Sequence, residues 1–597
     1  MTYQWILRPL AKPSIVADIR RKLNNLPEAL ARALVLRGID SFDHARLFFR
    51  PSLAALHDSF LMADMMPAAG RIAEALQSSE KILIHGDYDV DGVTATALLV
   101  AALRELGGDV DFFIPDRFKH GYGLGEAGID HASAIGARLI IAVDCGVTSV
   151  REAECATRKS IDLIVCDHHT PGSKLPDCVA VIDPKRPDCT YPFAELCGCA
   201  LAYKLLQAVL VQLGRAPEGA DAYLDLVAVA TASDIVPVQG ENRVLLIYGL
   251  RTLQTTPRLG FRKLAESARL NLIECTTRDI AFGLGPRINA AGRLGDAGRA
   301  VALLLENDDS VAEQLALDLE QLNVERRKLD KGTHDEAVEL AERQLTSRSR
   351  HSIVLHKSDW HLGVIGIVAS RLVERFHRPT ILMSTNNGYA KGSARSIPGI
   401  NIYDALHECS DLLVQFGGHD YAAGMTLRID DIAAFQNRLD EAVGHAVTPE
   451  VLLPSINVDS EVALGDIDAR FWSVLKQFAP FGPENDAPIF RADAVRLARR
   501  PKTVGSSGNH LKLSVRRDDT GSSLDAIGFG MGDRSDVLEE SWCSGKPIDM
   551  LFWLEENTWN GRTSLQLKLK DVRLSSSPAE PPAQQQTASL VADHAAS

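Results

Sequence analysis

The chain is 597 residues long, with 46% apolar and 24% charged residues, a globular composition that excludes a wholly disordered or fibrous protein. Its 64 basic and 78 acidic side chains leave a net charge of −14, which taken whole argues against a nucleic-acid partner, because phosphate recognition calls for clustered Lys and Arg. No apolar run reaches the length of a membrane span, the start MTYQWILRPLAKP has no secretory pattern, and ten cysteines are too few for a disulfide scaffold, so a cytoplasmic protein with reduced thiols and no membrane association is expected.

Residues 1–75 carry an apolar 3–4 spacing through LPEALARALVLRGID and DHARLFFRPSLAALHD, which predicts an N-terminal helical extension. From 76 to 305 aliphatic strands alternate with helices: KILIHG, VDFFIP, RLIIAVDCG, DLIVCDHH and CVAVIDPK are each followed by a helix-length segment. Nearly continuous apolar strands in that alternation predict an α/β domain with a parallel, doubly wound sheet. Residues 306–345 predict a long connector helix with Leu315, Leu319, Leu322 and Leu329 on one stripe, interrupted at Gly332. A second α/β domain is expected over 346–450, with Gly-rich turns at GSARS and FGGH. Short, partly alternating strands over 455–575 predict a small OB-like β-barrel, and the Pro/Gln/Ala/Ser-rich residues 576–597 a disordered tail.

The most informative segment is ILIHGDYDVDG, which puts His85, Asp87, Asp89 and Asp91 directly after a strand. Ligands of open parallel sheets bind outside the carboxyl ends of the strands, where these side chains fall. Acids so close repel one another unless a cation neutralises them, and oxygen donors with one or two imidazoles suit Mn²⁺ or Mg²⁺. The pattern recurs: RLIIAVDCG ends on Asp144, DLIVCDHH on Asp167, His168 and His169, and the apolar segment YLDLVAVATASD delivers Asp234. Together they offer enough donors for two divalent ions, the arrangement that cleaves phosphodiesters. A zinc site from Cys166, His168, Cys197 and Cys199 is the weaker alternative, because Cys-X-Cys is tighter than the usual ligand spacing.

HGDYDVDG, AVDCG, DHH and TASD resemble, in order and spacing, the four motifs of the DHH phosphoesterase superfamily, and GSARS with FGGH..AAG resembles its DHH-associated domain. FGLGPRINAAGR, WHLGVIGIVASR and APFGPENDAPIF narrow the likeness to its bacterial single-strand-specific 5′→3′ DNA exonucleases, which act in repair and recombination. The resemblance implies two Mn²⁺ or Mg²⁺ ions held by His85, Asp89, Asp91, Asp144, His168 and Asp234. It leaves His169, Asp87 and Asp167 as catalytic groups, with His169 facing the scissile phosphate. It also implies a substrate clamp from Arg287, Asn289 and Arg293 in a Gly-rich loop, and phosphate contacts from Arg371, Arg395 and Ser396, since arginine forks take phosphates bidentately. His419 in the GGH turn would touch DNA. The implied partners are single-stranded DNA, a single-strand-binding protein and a repair helicase, with the enzyme a monomer.

Two rival readings are a small-substrate DHH phosphodiesterase, which would lack the terminal barrel, and a non-catalytic scaffold, which would have lost ligand positions. The charge objection dissolves locally. Residues 306–343 hold twelve acids against five Lys or Arg, whereas 496–517 hold seven Lys or Arg and no acid. Phe529, Trp553 and Trp559 near that basic strip are candidate base-stacking residues.

Overall fold

A computed structural model describes residues 3–10, 12–117, 119–121, 123–347, 350–448, 450–505, 508–517, 521–559 and 561–575; the expected tail at 576–597 and the side chain of Trp559 lie outside the described residues. The chain divides into two compact units, one of Arg46–Pro454 with Pro480–Asp486, the other of Tyr3–Ala45, Ser455–Ala479 and the chain from Ala487.

The first unit is built on five parallel strands in the order Asp109–Phe113, Lys81–Gly86, Leu139–Val143, Asp162–Cys166, Ala180–Ile182. In chain order this is 2-1-3-4-5, so the direction of winding reverses between Lys81–Gly86 and Leu139–Val143, the switch point where doubly wound sheets bind ligands. Alternate residues serve two cores. Ile82, Ile84, Ile141 and Ile164 face the helices Met65–Gln77, Val90–Glu105, Gly198–Gln212 and Leu224–Ser233, while Leu83, Ile140, Leu163 and Val165 face Glu126–Ala134 and Val150–Arg158. Burial on both faces explains why the strands read as apolar runs.

The connector is one 39-residue helix, Asp309–Ser347, about 58 Å long at 1.5 Å per residue. Gly332 does not interrupt it as the sequence suggested. A glycine costs roughly 1 kcal/mol in a helix interior, and this helix is anchored on both sides of it: Ala312, Ala316 and Leu319 enter the first core, Ala337 and Ala341 that of the following domain. That domain carries a mixed sheet in the order Leu413–His419, Ala422–Arg428, Tyr389–Arg395, Thr380–Asn386, Ile353–His356. GSARS and FGGH, expected as turns, lie in strands: Gly392–Arg395 and Phe416–His419 both pair with Ala422–Met425. Their glycines let strands approach; a Cβ on Gly418 would sit 2.4 Å from the Ala422 carbonyl oxygen.

In the second unit a seven-stranded sheet takes the order Ser460–Glu461, Phe490–Val495, Ile548–Trp559, Arg562–Leu574, Ser523–Gly528, His510–Arg516, Lys502–Val504. Residues 1–75 do not form a single helical extension. Gln4–Leu7 is a strand pairing in parallel with Ser455–Val458, and Tyr3–Ala45 belongs to this unit while the chain from Arg46 belongs to the first. A four-residue strand with so distant a partner leaves no local periodicity to read.

One buried ion pair ties the first unit's helices together. Lys204, fully buried, donates to Glu241 Oε1 at 2.9 Å and to the His57 carbonyl at 2.7 Å, and Glu241 Oε2 accepts from Tyr191 at 2.6 Å. Glu241→Ala strands the ammonium and is expected to cost about 3–5 kcal/mol of stability, measured as a lowered urea midpoint; an unchanged midpoint contradicts the assignment.

Candidate active site

The acids gather at the switch point because the strands end there. His85 lies on the first strand, and Asp87 and Asp89 follow it. Asp89 caps the helix Val90–Glu105, accepting from the backbone N–H of Asp91 at 3.0 Å and of Gly92 at 3.2 Å. Asp144 follows the third strand with φ of 59°, a left-handed backbone that a non-glycine residue adopts at a cost. Asp234 ends the helix Leu224–Ser233.

Three overlapping groups of donor atoms, each within 4.8 Å, result: Asp87, Asp89 and Asp144; Asp144, His168 and His169; Asp91, His168 and Asp234. The His168 Nε2 atom lies 3.1 Å from Asp144 Oδ1, 3.7 Å from Asp91 Oδ2 and 3.8 Å from Asp234 Oδ2. Asp144 and His168 therefore stand between two carboxylate sets. Buried oxygens of Asp87, Asp144 and Asp234 and the Nε2 of His85 have no hydrogen-bond partner among the described residues. Buried, unsatisfied donors of this kind fit resident cations.

The electrostatics agree. Burial first, then the neighbouring carboxylates, holds Asp89 above its ordinary range and Asp91 and Asp144 well above it, and brings Asp87 to about 8. Burial lowers His85 and His168 to about 4, leaving neutral imidazoles suited to a metal. Burial opposes the ionised forms of His169 and Asp167, but their 2.7 Å hydrogen bond outweighs it, lifting His169 to about 9 and lowering Asp167.

Two expected residues, the catalytic candidate Asp167 and the metal candidate His85, lie outside these three groups. Asp167 joins no donor group; it accepts from His169 Nδ1 and from the backbone N–H of Val147 at 2.9 Å, which makes it a positioning residue. His85 also stands outside the three groups, fully buried against Phe113 with Nδ1 3.9 Å from the Cys145 thiol. The zinc alternative fails. Burial holds the Cys197 and Cys199 thiols well above their ordinary range, and no cysteine enters a donor group among the described residues. The role of this segment lies in its backbone. The N–H groups of Gly198 and Cys199, opening the helix Gly198–Gln212, donate to Asp91 at 2.6 and 2.7 Å, and a Cβ on Gly198 would meet Asp144 Cβ at 2.7 Å.

The arginines divide likewise. FGLGPRINAAGR is helical rather than a loop, a π-turn Ile280–Leu284 running into Gly285–Leu294. Its Arg287 faces the long helix, with Nε 2.5 Å from Glu320, so it bolts two helices together instead of clamping a substrate; Asn289 is half-buried beside it. Arg293 is half-buried, donates to the Gly363 carbonyl at 3.0 Å, and falls to about 10 through desolvation and then Arg117. Gly292 brings this helix against the acid loop, since a Cβ there would meet the Tyr88 carbonyl oxygen at 2.5 Å. Arg395 is lowered by burial and by Arg117, and Arg117 lies over the Tyr88 ring at 5.1 Å. Arg117, over the Tyr88 ring, is thus a charge neighbour of both Arg293 and Arg395. The sequence reading missed Arg117, although it follows the strand Asp109–Phe113 and the same strand-end rule would have flagged it. Arg371 instead pairs with Asp330 at 3.0 Å, Ser396 donates to the Ile400 carbonyl at 2.7 Å, and His419 is exposed on its hairpin.

In the second unit Phe529 is exposed with the Lys568 ammonium 5.1 Å from its ring centre, and Trp553 carries Lys568 at 5.3 Å and Lys570 at 4.2 Å. Of the basic strip, Lys502 and Lys512 are exposed cross-strand neighbours, whereas Arg500 pairs with Glu539 and Arg517 binds the carbonyls of Leu464 and Ile467.

The family model for the DHH family, N-terminal domain, matches residues 81–231, that for the DHHA1 domain residues 350–445, and that for the RecJ OB domain residues 458–571. The chain is 40% identical over 562 residues to the single-stranded-DNA-specific exonuclease RecJ of Bacillus subtilis, covering 94% of this chain and 70% of that one. It is 35% identical to that of Dickeya dadantii, over 93% and 99%. The chain belongs to the RecJ family of single-stranded-DNA-specific exonucleases. The structure of Thermus thermophilus RecJ in complex with Mn²⁺ matches with a TM-score of 0.81 at 29% identity, covering 96% of this chain and 80% of that one, and its Mg²⁺ complex with 0.75 at 28%. A match that includes the RecJ OB domain and 93–94% of this chain sets aside the small-substrate and scaffold readings.

If the donor groups hold Mn²⁺, the ion stabilises the fold by mass action, about 2.7 kcal/mol at a hundredfold excess over Kd. Thermal unfolding should therefore shift upward with Mn²⁺, and Asp144→Asn should abolish most of that shift. An equal shift in both proteins would place the ion elsewhere.

Proposed function

We propose that the acid–imidazole cluster holds two divalent cations, Mn²⁺ or Mg²⁺, and that the chain hydrolyses single-stranded DNA from its 5′ end in repair and recombination. The observation that carries this reading is that Asp144, grouped with Asp87 and Asp89, also lies 3.1 Å from His168, which is grouped with Asp91 and Asp234. Asp87, Asp89 and Asp144 would hold one ion, and Asp91, His168, Asp234 and Asp144 the other. When bound, two such ions supply a nucleophile at neutral pH and stabilise charge on the attacking and leaving oxygens. The backbone N–H groups at Gly198 and Cys199 fix the Asp91 carboxylate. Asp167 fixes the His169 ring, which would face the scissile phosphate.

The 5′ polarity is supported by Arg117, Arg293 and Arg395. None of the three forms an ion pair among the described residues, and Arg117 repels both of the others, so together they would offer a cradle for a multiply charged anion. A terminal phosphate carries a second negative charge that an internal phosphodiester lacks. In the second unit, the rings of Phe529 and Trp553 would offer stacking, and Lys568 and Lys570 charge, for a nucleic-acid strand. A single-strand-binding protein and a repair helicase as partners, a monomeric state and a cytoplasmic location complete the proposal.

With Mn²⁺, a 5′-end label should leave single strands as mononucleotide before a 3′-end label does, and chelation should stop both. Early release of the 3′ label overturns the polarity. Arg117→Ala should raise KM for a 5′-phosphorylated strand about 10- to 100-fold, the worth of one charge-assisted hydrogen bond, and change it little for a 5′-hydroxyl strand. His168→Ala should lower kcat by several orders of magnitude; near-normal turnover refutes its role.

A further inference from the structure

Three large apolar side chains stand out as the most exposed of their kind among the described residues: Ile235 at 88%, Phe282 at 79% and Ile273 at 75%. Two of them lie on segments at, or packed against, the helix end that carries the metal-ligand candidate Asp234. Ile235 is its chain neighbour, and its backbone N–H donates to the Asp234 carboxylate at 2.9 Å. Phe282 sits in the π-turn Ile280–Leu284, which packs against the helix that ends at Ser233; a Cβ on Gly285, one turn beyond Phe282, would lie 2.8 Å from Ser233 Oγ. Ile280 and Leu284 on either side of Phe282 are fully buried. The turn therefore satisfies the core without Phe282 and presents the ring outward. Leaving such a side chain in water forgoes about 1.5–3 kcal/mol of burial, and π-turns recur where a helix serves a function.

The donor groups of the site would hold cations and the arginines a phosphate; none of them offers an apolar face to a base. An exonuclease must accept whichever base arrives, and stacking meets that need because every base presents a π-face. We propose that Phe282 stacks on a nucleobase of the strand lying across the metal site, and so helps select single strands, whose base faces are open, over duplex interiors, whose faces are covered. This rests on the reading of Asp234 as part of the hydrolytic centre.

The test compares Phe282→Ala and Phe282→Trp on a 5′-phosphorylated single strand and on the same strand with abasic sites in its first five positions. Phe282→Ala should raise KM on the base-bearing strand about 5- to 150-fold, the usual range for one stacked base, with kcat changed much less. Phe282→Trp should restore KM, and on the abasic strand the alanine penalty should vanish. An equal penalty on both strands, a tryptophan variant as weak as alanine, or an unchanged KM overturns the proposal. Anisotropy binding of both strands in an Asp144→Asn background, without turnover, separates stacking from hydrolysis. Loss of base-dependent binding on Phe282→Ala there supports stacking even if the hydrolytic reading fails, and its persistence refutes stacking.

Discussion

The structure is organised around a repulsion. Five carboxylates, those of Asp87, Asp89, Asp91, Asp144 and Asp234, converge with His168 and His169 in a largely buried space where charge is poorly screened. Left alone such groups resist ionisation, as the raised pKa values of Asp87, Asp89, Asp91 and Asp144 express. The surrounding elements hold them together nonetheless. A parallel sheet delivers its strand ends to one edge, a helix N-terminus bonds both oxygens of Asp91, and Asp144 is kept in a left-handed backbone with Gly198 against its side chain. Geometry that opposes its own charge in this way is stored strain, to be relieved by cations.

The same logic governs the positive groups. Arg293 and Arg395 are half-buried charge neighbours of the exposed Arg117 and form no ion pair among the described residues, whereas Arg287 and Arg371 are neutralised by Glu320 and Asp330 of the long helix. The acidity of that helix thus does structural work: it sorts arginines into bolts and anion-binding groups. This explains how a chain with net charge −14 handles a polyanion. Much of the negative charge faces solvent or pairs internally, and the rest sits where divalent ions belong.

Legibility in the sequence followed the range of the interactions. The parallel sheet was readable because strands buried on both faces are apolar throughout, and the acids because they follow those strands directly. The helix over FGLGPRINAAGR was not readable, since its glycines imitate a loop; they are small because Gly292 touches the Tyr88 backbone and Gly285 touches Ser233. GSARS and FGGH misled for the same reason, their glycines admitting neighbouring strands rather than turns. Gly332 looked like a break, but its helix is held by packing on both sides.

By itself the sequence determined the chemistry: which donors exist, that they follow successive strands, and that a basic strip and a strand-rich region lie downstream. Only the tertiary structure decided the roles. It drew Asp167 out of the donor groups by giving it His169 as a partner, removed Arg287 and Arg371 from the free arginines, added Arg117, and set Gly198 as the clamp on Asp91. The reason is physical. A residue's type and its place after a strand are local properties, whereas its partner is chosen by packing between segments far apart in the chain, and the partner decides whether a charge is spent inside the protein or remains for a ligand.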